Sequence, residues 1–287
     1  MIFIFLSICC SVFVSVMLKL AKRYKINVVQ AIAWNYLSAG ILCWGIFRPQ
    51  IFNISHADLP YPIYLALGIL LPVLFVLLAA SVRFSGIVRT DIAQRLSLFI
   101  PVLAAFLLFK EAPSWLKTVG IALAFAAILL SIPWQKSKEK QPSSGWIYLI
   151  SVFAGLGVID ILFKQIAQIK TIEYTSSLLI IFIIAFVISI LTLIYLFITG
   201  KSKFEWVNLA CGLILGAANF GNILFYIKAH QVLADQPSVV FASMNIGVIL
   251  MGSVVGIFIF RERLSRLNYA GIVLALVSII LIVLSRN

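Results

Sequence analysis

Apolar residues along this chain come in long runs parted by short polar breaks. A transmembrane helix needs about 20 mostly apolar residues to cross a hydrocarbon core about 30 Å thick. Ten segments meet that requirement: 2–20, 29–47, 62–81, 87–109, 115–134, 146–168, 174–199, 205–227, 236–260 and 267–285. Connections such as KRYKIN (22–27) and KEAPS (110–114) are too short to hold a soluble domain, so the function is expected inside the bilayer.

Composition agrees with the pattern. Of 287 residues, 63% are hydrophobic and 11% charged, with a mean hydropathy of +1.14. Soluble domains run at about 45–50% apolar and about 25% charged. The expected fold class is an all-α integral membrane protein of ten transmembrane helices. No Lys or Arg precedes the first apolar run and no small-residue cleavage site follows it before Lys19, so it reads as a retained helix and not a signal peptide. Cys9, Cys10, Cys43 and Cys211 all fall inside spans without CxxC spacing and read as packing residues.

A formal charge of +13 would point to nucleic acid in a soluble protein. Here the basic residues cluster at helix ends (KRYK, KSKEK, KSK, RERLSR), where they reach headgroups and set orientation, and no nucleic-acid partner is expected.

The lysine-rich stretch QKSKEKQPSSG divides the chain into residues 1–134, a basic linker at 135–145, and residues 146–287. Each part holds five spans. FKEAPSWLKTVGIAL (109–123) aligns without gaps on FRERLSRLNYAGIVL (260–274), pairing Glu111 with Glu262, Ser114 with Ser265 and Gly120 with Gly271. A weaker match pairs Lys19 with Lys164 and Lys25 with Lys170. Five spans per part force opposite orientations, the inverted-repeat plan of secondary carriers with a shared site at the midplane.

This duplicated plan, with an apolar-Glu element (FKEA, then FRER) before a helix that opens on a Gly-apolar pair (VGIAL, AGIVL), resembles the EamA-like branch of the drug/metabolite transporter superfamily. The proline usual in the fourth helix corresponds to Pro101, and Gly252 stands in its place in the ninth. The resemblance implies this fold and carrier activity, often export of small metabolites or amino acids. The expected cargo is a small polar or amphipathic metabolite such as an amino acid or organic acid, and the expected setting is the plasma (bacterial inner) membrane, as a monomer or homodimer. The resemblance also implies cytoplasmic termini. The basic-residue count opposes this, since cytoplasmic termini would leave 7 Lys and Arg inside and 15 outside.

Polar residues within spans are the candidate machinery, because a charge at a helix centre costs about 2.5–3.5 kcal/mol on insertion scales. Asp91 and Arg95, at i and i+4 with Gln94 beside them, read as a gating or coupling pair or as an interfacial salt bridge. Asp160 and Lys164 repeat the spacing deeper, for proton coupling, substrate contact, or mere neutralisation of the lysine. Ser7, Ser11, Ser15 and Lys19 form one stripe, either packing or, with Lys164, the wall of a cationic cavity suited to a carboxylate or phosphate. Gly212 and Gly216 mark close helix packing. Asn219, Asn222 and Tyr226 line one helix face, and Asn245, Trp34 and Asn35 complete the substrate-binding candidates, each with interhelical packing as the alternative. Gly68, Pro72 and Pro101 are positions where a span can bend.

His56 and His230 are the two histidines, and neither HExxH nor GxxxxGK occurs. No cofactor, metal or catalytic residue is expected. The expected partners are a small-molecule substrate, protons as candidate coupling ion, and the bilayer. The competing readings are a membrane-embedded enzyme and a lipid flippase.

Overall fold

In a computed structural model the described residues (1–23, 26–49, 51, 59–131, 145–259 and 265–285) form eleven helices and no strand. They are α1 (Ile2–Arg23), α2 (Val28–Phe47), α3 (Tyr61–Ser85), α4 (Ile87–Leu96), α5 (Phe99–Leu107), α6 (Trp115–Ser131), α7 (Gly145–Gln168), α8 (Tyr174–Ile198), α9 (Trp206–Val232), α10 (Pro237–Phe258) and α11 (Arg266–Leu284). By length and composition seven segments can cross a membrane: α3, the joined α4 and α5 (Arg89–Leu107), and α7 to α11. α1 and α6 add the shorter apolar stretches Ile2–Met17 and Trp115–Leu130. In α2 the residues Gln30, Trp34, Asn35 and Tyr36 dilute the hydropathy of its first half. The chain is a multi-pass membrane protein. Trp44, Trp115, Trp146 and Trp206 lie exposed near the ends of α2, α6, α7 and α9, the depth at which indoles prefer to meet a bilayer interface.

Lys25, His56, residues 135–144 of the linker and the FRER element lie outside the described residues, as does the Lys19 side chain.

The segment expected as one span at 87–109 is two helices. Pro101 has no amide hydrogen for the Ser97 carbonyl, and its ring crowds that oxygen. The Ile100 amide takes the Ser97 carbonyl instead, at 3.0 Å, and the Ser97 hydroxyl donates to the Gln94 carbonyl at 2.6 Å. The chain turns at Ser97–Leu98 and resumes as α5. Pro72, by contrast, sits within an unbroken α3.

Hydrogen bonds between helices define two ends of the bundle. At one end the Asn27 side chain donates to Ser202 Oγ at 3.0 Å and the Asn208 side chain to Gln30 Oε1 at 2.8 Å. At that same end Ser85 Oγ donates to the Gly145 carbonyl at 2.8 Å and Asn268 Nδ2 to the Leu130 carbonyl at 3.3 Å. Because α6 finishes and α7 begins there, this is the linker end. At the opposite, terminal end, where α1 starts and α11 finishes, Tyr64 shares a 2.7 Å hydrogen bond with Ser177 and Glu111 meets Ser238.

The most extensive packing runs between residues 1–131 and residues 145–285. α6 lies along α11 and α2 along α8, while α1 on α9 is answered by α7 on α3, and α2 on α9 by α8 on α3. The α2–α9 seam is tight at two glycines. A Cβ on Gly212 would stand 2.6 Å from the Ala31 carbonyl oxygen, and one on Gly216 would strike the Asn35 carbonyl oxygen. Small residues that admit a neighbouring backbone in this way supply the dispersion contacts that hold helices together in lipid.

Candidate functional site

α1, α3, α4, α7, α9 and α10 surround a cavity of about 470 Å³. It reaches from Phe163, Tyr226 and Met244, deep in the bundle, to Asp91, Val255 and Gly256 near the linker end. Its apolar wall includes Leu71, Leu74, Phe75, Ile159 and Ile223. A volume of this order is that of small-molecule sites, about 300–1,000 Å³.

The polar lining comes from five helices, α1, α4, α7, α9 and α10. α7 contributes Asp160, which accepts a hydrogen bond from the Tyr226 hydroxyl of α9 at 2.9 Å. The helical spacing of Asn219, Asn222 and Tyr226 turns all three toward the same space. Ser7 of α1 donates to Asn222 Oδ1 at 2.8 Å, which leaves the Asn222 amino group toward the cavity side of the helix. Asn245 of α10 donates through Nδ2 to the Phe241 carbonyl at 3.1 Å, and since a carbonyl only accepts, its Oδ1 is the atom left for a ligand. Buried Asn219 Nδ2 has no hydrogen-bond partner. At the mouth Arg95 Nε donates to Asp91 Oδ2 at 2.8 Å, with Gln94 beside them. Ser11 and Ser15, read from the sequence as one stripe, also line the cavity.

Other candidates lie elsewhere. Asp160 and Lys164, one turn apart, form no ion pair: Lys164 is fully buried, donates to the Ala234 carbonyl at 2.6 Å and stands 5.8 Å from the Phe109 ring centre. The i, i+4 spacing puts the two residues on one helical face. It does not determine which neighbour each side chain meets, and α7 carries the ammonium past Asp160 to the terminal end. Trp34 and Asn35 lie in the α2–α9 seam, with the Trp34 ring edge-on to Phe204 at 6.4 Å. Neither lines the cavity. The Asn35 amide is fully buried and has no hydrogen-bond partner.

Between the cavity and the terminal end lies a packed aromatic and ionic layer. Phe163 meets Tyr226 edge-on at 6.2 Å, Tyr226 meets His230 at 4.8 Å and His230 meets Phe241 at 4.7 Å. Beyond them Glu111 Oε1 accepts from Lys117 Nζ at 2.7 Å and from Ser238 Oγ at 2.6 Å, while Oε2 accepts from the Ser238 amide at 2.8 Å. That carboxylate occupies the N-terminus of α10, where free amides and the helix dipole favour an anion. Sequence reading found Glu111 as part of the repeated element but assigned it no site. The available signal was a Glu and a Lys six residues apart across a helix start, in a chain where buried charge has to be paired.

The profile of the EamA-like transporter family matches residues 1–133. An uncharacterized protein of Haemophilus influenzae is 44% identical over 282 residues, which cover 95% of this chain and 94% of that one. A solved structure described only as the crystal structure of a protein superposes with a TM-score of 0.73 at 11% identity, over 99% of this chain and 96% of that chain, and shares the fold.

Proposed function

The chain belongs to the EamA-like transporter family, and from that premise we propose an alternating-access carrier that exports a small polar or amphipathic metabolite through the cavity around Asp160. Members of the family are membrane transporters. The observation that carries the reading is the cavity itself, polar along α7, α9 and α10, extending to the linker end and separated from the terminal end by the Tyr226–His230–Phe241 layer. A carrier needs one site that each side of the membrane reaches in turn.

In this proposal residues 1–134 and 146–287 are two inverted five-helix repeats joined by the basic linker. The exchange symmetry of the helix pairings supports this, because α1 on α9 maps to α7 on α3 and α1 on α10 maps to α7 on α4. Rocking of one repeat against the other would open the terminal end by separating Glu111 from Ser238 and would close the mouth at Asp91 and Arg95. Asp160 is the residue proposed to couple transport to protons, with Asn219, Asn222 and Asn245 contacting the substrate. Lys164 acts from the sealed layer. The membrane is proposed to be the bacterial inner membrane.

The test is reconstitution. Proteoliposomes are incubated with a bacterial metabolite extract and their contents analysed by mass spectrometry, with and without an imposed proton gradient. The reading expects selective accumulation of a few solutes, abolished by Asp160→Asn in protein that remains monodisperse. A chemically altered product in place of accumulation would favour an enzyme, and scrambling of labelled phospholipid would favour a flippase. Uptake indifferent to the proton gradient at every pH would remove proton coupling and leave facilitated exchange.

A further inference from the structure

Resting on the carrier reading, we propose that the cavity recognises its substrate by a protonated amine, held between the Asp160 carboxylate and Asn245 Oδ1 while the apolar wall takes the body of the molecule.

The argument begins with charge. Among the described residues the charged side chains that line the cavity are Asp91, Arg95 and Asp160. Asp91 and Arg95 neutralise each other at the mouth, 2.8 Å apart. Among the described residues Asp160 has no cationic partner. Its hydrogen-bond donor is the Tyr226 hydroxyl, and Lys164, the cation nearest in sequence, is committed to the Ala234 carbonyl. Among the described residues the deep part of the cavity is therefore anionic, with the Lys164 ammonium turned away to the Ala234 carbonyl. An ionised carboxylate in such a site is stable only with a counter-charge, and a solute that supplies one gains more there than in water.

Hydrogen-bond bookkeeping selects the kind of cation. An ammonium group donates up to three hydrogens and accepts none. Deep on the lining the free acceptors include the Asp160 oxygens, Asn219 Oδ1 and Asn245 Oδ1, the last turned away from the backbone by the bond from Asn245 to Phe241. A metal cation fits poorly, since no group of three His, Cys, Asp or Glu occurs among the described residues. A bare carboxylate or phosphate would meet Asp160 with like charge. The amino group of Asn222 remains as a donor for a hydroxyl or carbonyl elsewhere on the substrate. Leu71, Leu74, Phe75 and Ile223 accommodate an apolar body.

Three probes with one ring and different head groups test this: phenethylamine, phenethyl alcohol and phenylacetate. Each is titrated against detergent-purified full-length protein, wild type, Asp160→Asn and Asp160→Glu, with thermal stability as the readout. The expected result is stabilisation of wild type by the amine alone. Asp160→Asn should weaken its binding by about tenfold or more, the scale of a lost hydrogen bond to a charged group, and Asp160→Glu should keep part of it. Equal stabilisation by phenylacetate or by the alcohol, undiminished amine binding in Asp160→Asn, or no response to any probe would overturn the proposal. The wild-type comparison stands even if a variant fails to fold. Uptake of anionic or neutral solutes into proteoliposomes, without amine binding, would leave the carrier reading intact and remove this one; absence of any uptake would remove the carrier reading, with amine binding still scored separately.

Discussion

Glu111 holds the start of α10 by both atoms that Ser238 offers, the amide at 2.8 Å and the hydroxyl at 2.6 Å, and the same carboxylate neutralises Lys117. Both residues are buried, each 5% exposed. Glu111→Gln would leave the Lys117 ammonium buried beside a neutral amide, at a cost of roughly 3–5 kcal/mol. The expected outcome is a clear drop in the melting temperature of the purified protein. Adding Lys117→Met should recover much of the loss, because the stranded charge is then gone. A single variant as stable as wild type would show that the contact does not hold the terminal end.

The cavity and the layer beneath it should differ in chemical access. In protein whose four native cysteines are replaced, Ser11→Cys should react with a water-soluble maleimide, whereas Ala242→Cys, which is fully buried, should not. Reagent confined to one side of the membrane should reach Ser11→Cys from the side opposite a tag placed after Asn287. The same labelling fixes the orientation of the termini, on which the basic-residue count and the family resemblance disagree.

Gly216→Leu places a branched side chain where the Asn35 backbone and the Ser38 Cβ already lie. Overpacking of a filled interior costs about 1–3 kcal/mol, occasionally more, and the obstacle here is partly main chain, which yields less than a side chain. The expected result is poor yield and early thermal unfolding. Gly45→Leu, with nothing within 4 Å of the added Cβ, is the control that should behave as wild type.

Asp91 and Arg95 are 34% and 26% exposed, so their pairing should contribute about 1 kcal/mol or less to stability. Asp91→Asn should therefore fold normally, with an unpaired guanidinium at the mouth. Initial uptake of a cationic substrate should fall at low ionic strength, and the deficit should shrink as salt is added. Rates insensitive to salt in both proteins would argue that the substrate does not pass these residues.

The membrane class and the helical segments could be read from apolar runs, because length and hydropathy alone decide whether a segment partitions into lipid. The face shared by Asn219, Asn222 and Tyr226 was readable for a related reason, since 3.6 residues per turn fixes which positions align along one helix. Relations between helices were not readable. The Asp160–Lys164 spacing could not say that one side chain turns to Tyr226 and the other to Ala234, because that depends on what α9 presents at each depth. Trp34 and Asn35 have the chemistry of ligand contacts, but the glycines of α9 draw that helix against their backbone. The break at Ser97–Leu98 was half legible: Pro101 is visible in sequence, whereas its outcome depends on context, as the unbroken helix around Pro72 shows.

The partition of contacts bears on how the protein is made. α1, α2, α3 and α6 find their most extensive packing on helices that leave the ribosome after residue 145. During synthesis the surfaces of Ala33, Tyr36 and Leu67, which are fully covered in the finished protein, face lipid until the later helices arrive. The early segments are thus a waiting intermediate, open to chaperones and proteases of the membrane. A gene cut within the linker should yield stable product when both pieces are expressed in one cell, and rapid turnover of the first piece when it is expressed alone.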